Sequence, residues 1–173
     1  MDYRLVPATQ NDSARIWEIL QQAILRRKQD GSRQWQDGYP NPDVIRQDIE
    51  RNAGYILTDG DAIAGYAAIL VNDEPAYAVI EGAWLTNGDF VVVHRVAIAD
   101  SHVGRGLAKT LFLLVEQLTA DRGINSIKVD TNFDNPAMMH ILDGLDYKYC
   151  GEVFFRGSAR RAYEKVLPVA PAK

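Results

Sequence analysis

The sequence predicts an α/β fold, strands and helices around one core, in a single domain spanning residues 1–167. Three observations carry that expectation. Val93 to Val115 reads VHRVAIADSHVGRGLAKTLFLLV, an apolar, β-branched run that ends at Asp100 and Ser101, bends through two glycines and becomes amphipathic. Strand, tight loop and helix follow from that order. Asp59-Gly60-Asp61 and Arg156-Gly157-Ser158 each separate a pair of β-rich runs, as hairpin turns do. A chain of 173 residues, 47% hydrophobic, holds enough apolar surface to fold without staples.

Taken in order, Tyr3 to Val6 alternates polar and apolar and predicts a first strand. Thr9, Asn11 and Asp12 offer caps for a helix whose Ile16, Ile19, Leu20, Ala23 and Ile24 recur on one face and which stops before Gly31. Its basic end, Arg26-Arg27-Lys28, complements the helix dipole. Gly31 to Pro42, GSRQWQDGYPNP, is too rich in Gly, Pro and polar residues for regular structure. Asp43 caps a short helix reaching about Asn52, and Tyr55 to Thr58 pairs through the Asp59 turn with Ile63 to Val71.

Between Asn72 and Phe90, Pro75 opens a short helix with Glu81 near its end, and Trp84 and Asn87-Gly88 follow in a loop. After the central strand, loop and helix come a strand at Ile127 to Thr131, a turn, and a helix from Pro136 to about Leu145. Tyr147 to Phe155 and Arg160 to Leu167 close the fold as a hairpin, and residues 168–173, PVAPAK, form a mobile tail.

Composition excludes several functions. A net charge of −4 argues against nucleic acid, which asks for a basic excess or stripe. No apolar run approaches the roughly 18 residues of a membrane span, and MDYRLVPATQND lacks the apolar core of a signal peptide. With one cysteine, Cys150, no internal disulfide forms, and the chain reads as cytoplasmic with Cys150 in the core. No metal is expected, because no His, Cys, Asp or Glu cluster has ligand spacing, and no G-x-S-x-G elbow marks a serine nucleophile.

The glycine loop carries the chemistry. A helix start has amide groups without carbonyl partners and a partial positive charge worth about 0.3 to 1 kcal/mol toward an anion. Gly104 and Gly106 leave those donors open to a phosphate, and Arg105 and Lys109 add cations. A P-loop reading fails, since Val103 stands at its first glycine, and so does a dinucleotide fingerprint, since Lys109 stands at its third.

VGRGLA followed by KTLFLLVEQL resembles the pyrophosphate loop, R/Q-x-x-G-x-G/A, of the GNAT acetyltransferase superfamily, with Val103 in the usual Arg/Gln place. DTNFDNPAMMHILDGLDY resembles the strand, asparagine and helix that follow it, and the likeness runs from Val91 to Tyr147. The resemblance implies a mixed, mostly antiparallel twisted sheet flanked by helices, with acetyl-CoA between strands that splay at Val96 to Ile98. It implies an acetyl-CoA-dependent N-acetyltransferase acting directly on a primary amine. Coenzyme contacts fall on Val96, Ala97, Ile98, Val103, Gly104, Arg105, Gly106, Leu107, Ala108, Lys109 and Asn135. The alternative is an acyl-CoA-binding domain without turnover, because Leu142 stands where many members carry an acidic tyrosine.

For transfer, the backbone N–H of Val96 is the expected donor to the carbonyl oxygen. His94, Val96 and Ile98 share a strand face by the period of two, which makes His94 the candidate base, against the reading of a histidine bonded within the core. His102 beside the loop is expected solvated or near phosphate, and His140 at the surface. Trp35 and Tyr39 either close over the core or line the acceptor pocket, Glu81 is either a solvated helix residue or a carboxylate of that pocket, and Trp84 is a further acceptor-side candidate. The expected partners are an amine acceptor and, at most, a second copy of the chain.

Overall fold

The computed structural model describes residues 2–169; Met1 and most of the expected tail, Ala170 to Lys173, lie outside the described residues. In chain order the elements are β1 (Tyr3–Pro7), α1 (Ser13–Gln29), α2 (Pro42–Glu50), β2 (Gly54–Asp59), β3 (Ala62–Val71), β4 (Glu81–Gly82), β5 (Val91–Ile98), α3 (Leu107–Asp121), β6 (Ser126–Thr131), α4 (Pro136–Gly144), β7 (Lys148–Phe155) and β8 (Ser158–Val166). Short 3-10 turns precede α1 and follow β3 and β5. Two compact units divide the chain: residues up to Ile69 with His94–Leu114, and Leu70–Val93 with Val115 onward. Among the described residues no helix is long and apolar enough to cross a membrane.

In the first unit β1 and β3 flank β2, both antiparallel to it, with Leu5 opposite Leu57 and Ile56 opposite Tyr66. α1 starts where expected because Asp12 accepts from the Thr9 amide at 2.8 Å, closing the turn before Ser13. Ile16, Ile19, Leu20 and Ala23, at helical spacing, bury one face against Ile45, Ile56, Tyr66, Ala97 and Ala99. α2 begins earlier than expected. Asn41, not Asp43, is the cap: its side chain accepts from the Val44 amide at 3.1 Å, and Pro42 fills the first helical position, where no N–H is needed.

In the second unit β5 starts parallel to β6 through Val91↔Ile127 and Val92↔Lys128. β6 is antiparallel to β8, β8 to β7 and β7 to β4. The helix expected after Pro75 is a 3-10 turn, Pro75–Ala78, and Glu81 belongs to a strand. The reason lies far along the chain. Gly82 and Gly151 bring two backbones together at φ 134 and 132, so close that a Cβ on Gly82 would stand 2.1 Å from the Cys150 carbonyl oxygen.

Candidate active site

β5 ends in the first unit and hands the chain to the glycine loop. Gly104 and Gly106 have φ 80 and 71, and a Cβ on either would meet nothing within 4 Å. The left-handed backbone, not crowding, is what demands glycine there. Val103 to Gly106 are exposed, Leu107 is buried as the first residue of α3, Ala108 is half-buried and Lys109 exposed. The Gly106 carbonyl already accepts from the Thr110 amide at 3.2 Å, so the amides that follow it point outward as an unsatisfied helix start. A diphosphate fits this place: open space, helix-start amides and two cationic side chains. Arg105 holds the loop by donating to the Ser101 carbonyl at 3.2 Å.

The root of the loop is fixed from α1. Arg26 donates to the Ile98 carbonyl at 2.6 Å and pairs with Asp100, whose amide donates to the Gln22 side chain at 2.9 Å. The basic helix end expected from the dipole thus serves as a brace. His102 differs from the expected solvated histidine: it is buried, with Nε2 3.2 Å from Asp59 and Nδ1 2.7 Å from the Ser101 hydroxyl.

Arg95 carries the feature that period-two reasoning could not foresee. Its φ of 55 breaks the strand alternation, so the common face expected for His94, Val96 and Ile98 is interrupted between the first two. His94 and Val96 are half-buried, Ala97 and Ile98 buried. The Arg95 side chain enters the unit, where Nε and Nη2 meet the Asp48 carboxylate at 2.9 and 2.5 Å and Nη1 meets the Tyr39 hydroxyl at 2.5 Å. Tyr66 donates to the same carboxylate at 2.6 Å. Burial first, and the Asp48 charge second, push the Tyr66 phenol well above the usual tyrosine range. Tyr39 is therefore anchored to the strand that leads to the loop. Trp35, at φ 64, packs partly buried on the core of this unit.

Asp48 and Tyr66 escaped the sequence reading, although a signal was there. Asp48 sits with Ile45 and Ile49 at helical spacing on the buried stripe of α2, where a carboxylate needs a buried partner.

The remaining candidates belong to the second unit. Asn135 caps α4, accepting from the Met138 amide at 3.2 Å, and Leu142 is wholly buried. Glu81 is exposed on β4; Trp84 is half-buried with its indole N–H on the Tyr77 carbonyl at 2.8 Å. At the end of β6, Thr131 Oγ1 and Asn132 Oδ1 are buried and meet no hydrogen-bond partner among the described residues. His140 is exposed, as expected, and Cys150 is buried. Among the described residues no three His, Cys, Asp or Glu side chains gather as metal ligands.

A strand that delivers a two-glycine loop to the start of a fifteen-residue helix is an α/β arrangement suited to an anion. The model of the acetyltransferase (GNAT) family matches residues 17–145, and the chain belongs to that family. It is 34% identical to a GNAT-family acetyltransferase from Streptococcus agalactiae over 96% of both chains, with a TM-score of 0.87. A GNAT-family acetyltransferase from Listeria monocytogenes is 21% identical over 95% of both chains, with a TM-score of 0.77. The Salmonella typhimurium protein yncA, solved with its cofactor acetyl-CoA, is 16% identical over 100% of this chain and 98% of its own, with a TM-score of 0.69. The last two likenesses are of fold. No curated protein matches the chain.

Proposed function

We propose that the chain is a cytoplasmic, acetyl-CoA-dependent N-acetyltransferase, one domain over residues 1–167, that passes an acetyl group directly to a primary amine of a small molecule or polypeptide. The observation that carries this reading is the loop from Val103 to Gly106: exposed, left-handed at both glycines, and set at the start of α3 in a chain of this family. The coenzyme, when bound, supplies an activated thioester. The amides from Gly104 to Lys109, with Arg105 and Lys109, would take its diphosphate, and the backbone of Val96 to Ile98 would take its arm. The Val96 N–H would stabilise charge on the carbonyl oxygen.

An amine of pKa about 10.4 is neutral in roughly one molecule in 10³ at pH 7, so the acceptor needs a base. His94 is assigned that role as a half-buried imidazole on β5, near Val96 in sequence although the left-handed Arg95 stands between them. Trp35 and Tyr39 would meet the acceptor, with Tyr39 held in place by Arg95. Leu142 favours a second reading, an acyl-CoA binder without turnover, since a wholly buried leucine gives no proton to a leaving thiolate. A thiol-release assay over polyamines, amino acids and peptides separates them. Release with any amine supports the enzyme; coenzyme affinity without release across the panel supports the binder.

A further inference from the structure

The second unit contains a cavity of about 480 Å³ that the loop and β5 do not explain. Its walls are the segment from Asn72 to Phe90 and one side chain from β6, Lys128. Lys128 is 4% exposed, yet its ammonium is in no ion pair among the described residues. Nζ lies 4.6 Å from the centre of the Trp84 ring and 4.1 Å from that of Phe90. Two aromatic faces attract a cation but accept none of its three N–H donors in the way an oxygen does.

The charge of the carboxylate nearest in register favours the Lys128 ammonium, but that carboxylate makes no hydrogen bond to it. Glu164 stands opposite Lys128 on β8 and is wholly buried, but its oxygens are taken by the Leu85 amide at 2.6 Å, the Ser126 hydroxyl at 2.7 Å and the Thr86 hydroxyl. These bonds pin the loop carrying Trp84 and leave Lys128 with no hydrogen-bond acceptor among the described residues. A buried ammonium in that position costs stability, and a carboxylate arriving through the cavity would supply what it lacks. The cavity is within the range of small-molecule sites and joins apolar walls, Trp84 and Phe90, to the Lys128 ammonium. Asp73 and Glu74 line it too, so its field disfavours a plain anion and favours a molecule carrying both signs.

We propose that this cavity binds a free amino acid as its zwitterion, the carboxylate on Lys128, an apolar side chain against Trp84 and Phe90, and the ammonium toward Asp73 and Glu74. The site goes beyond the transferase reading and stands whether or not that reading holds, since its test contains no coenzyme.

The test uses the full chain with the standard L-amino acids one at a time, followed by thermal melting and by the NMR signal of the Trp84 indole N–H. At least one apolar amino acid should raise the melting temperature and move that signal. The amine made by removing the carboxylate of the hit, and the acid made by removing its ammonium, should each bind at least about tenfold more weakly. Lys128→Met should lose the amino acid by a similar factor, with Lys128→Arg recovering some of it. No response to any amino acid overturns the proposal. So does equal binding of either half-molecule to the unaltered protein, a result that does not depend on whether Lys128→Met folds.

Discussion

Asp48 and Arg95, 47 residues apart, form a buried two-bonded ion pair, Oδ2 to Nε at 2.9 Å and Oδ1 to Nη2 at 2.5 Å, with side chains 5% and 10% exposed. The pair fixes α2 to the one residue at which β5 turns left-handed. Removing one partner strands the other charge away from water. Asp48→Ala should therefore cost about 3 to 5 kcal/mol of unfolding free energy, measured by urea titration; a loss below about 1 kcal/mol would mean Arg95 finds water instead.

Tyr66→Phe tests the third member of that cluster, and its pH dependence has a definite sign. A phenol whose folded pKa lies above its unfolded value of 10.0 stabilises the fold fully below pH 10 and loses that contribution as pH rises toward the folded value. The unaltered protein should lose stability steadily above pH 10, and the variant should do so less steeply. Below pH 10 the variant should be weaker by about 1.5 to 3 kcal/mol, the range for a hydrogen bond to a charged group.

Gly104→Ala and Gly106→Ala separate backbone angle from crowding. Each added methyl has open space but must hold φ near 80 or 71, which costs about 1 to 2 kcal/mol. Calorimetry with coenzyme A should show weakened binding in both variants, at a stability loss no larger than that range. Unchanged affinity in both would take the diphosphate away from this loop.

His94→Ala addresses proton transfer. With an amine acceptor in saturation, the acid limb of the pH–rate profile should flatten and turnover should fall by about 10² or more. A profile unchanged in shape and height removes His94 from the mechanism and leaves the base to water.

Gly151→Ala should separate β4 from β7. A Cβ there would lie 2.1 Å from the Glu81 carbonyl oxygen, a backbone atom that cannot step aside alone. Hydrogen exchange at the Ala83 amide, which now donates to the Cys150 carbonyl at 3.0 Å, should accelerate, with about 1 to 3 kcal/mol of overall stability lost.

Features written in neighbouring residues could be read from the sequence. The apolar face of α1, the turns at Gly60 and Gly157, and the passage from β5 through Gly104 and Gly106 into α3 all rest on local periodicity or on angles that glycine accepts. Family membership was legible there too. What escaped depends on partners distant in sequence. Glu81 is on a strand because Gly82 meets Gly151, and Lys128 faces the Trp84 and Phe90 rings while Glu164, opposite it on β8, is bonded to the Leu85 amide. The left-handed turn at Arg95 could not be read from alternation along β5, because the carboxylate that its side chain meets belongs to another helix.

The first unit draws on two stretches, one ending at Ile69 and one running from His94 to Leu114. A ribosome releasing this chain from its N-terminus has delivered α1, α2 and strands β1 to β3 well before Ala97 and Ala99 arrive to complete the cluster around Ile16 and Tyr66. During that interval the apolar side of α1 stands without its last neighbours, and Arg26 has no Ile98 carbonyl to grip. The nascent protein thus carries an uncovered apolar face until the glycine loop leaves the exit tunnel, and a translational pause placed upstream of His94 should lower its soluble yield.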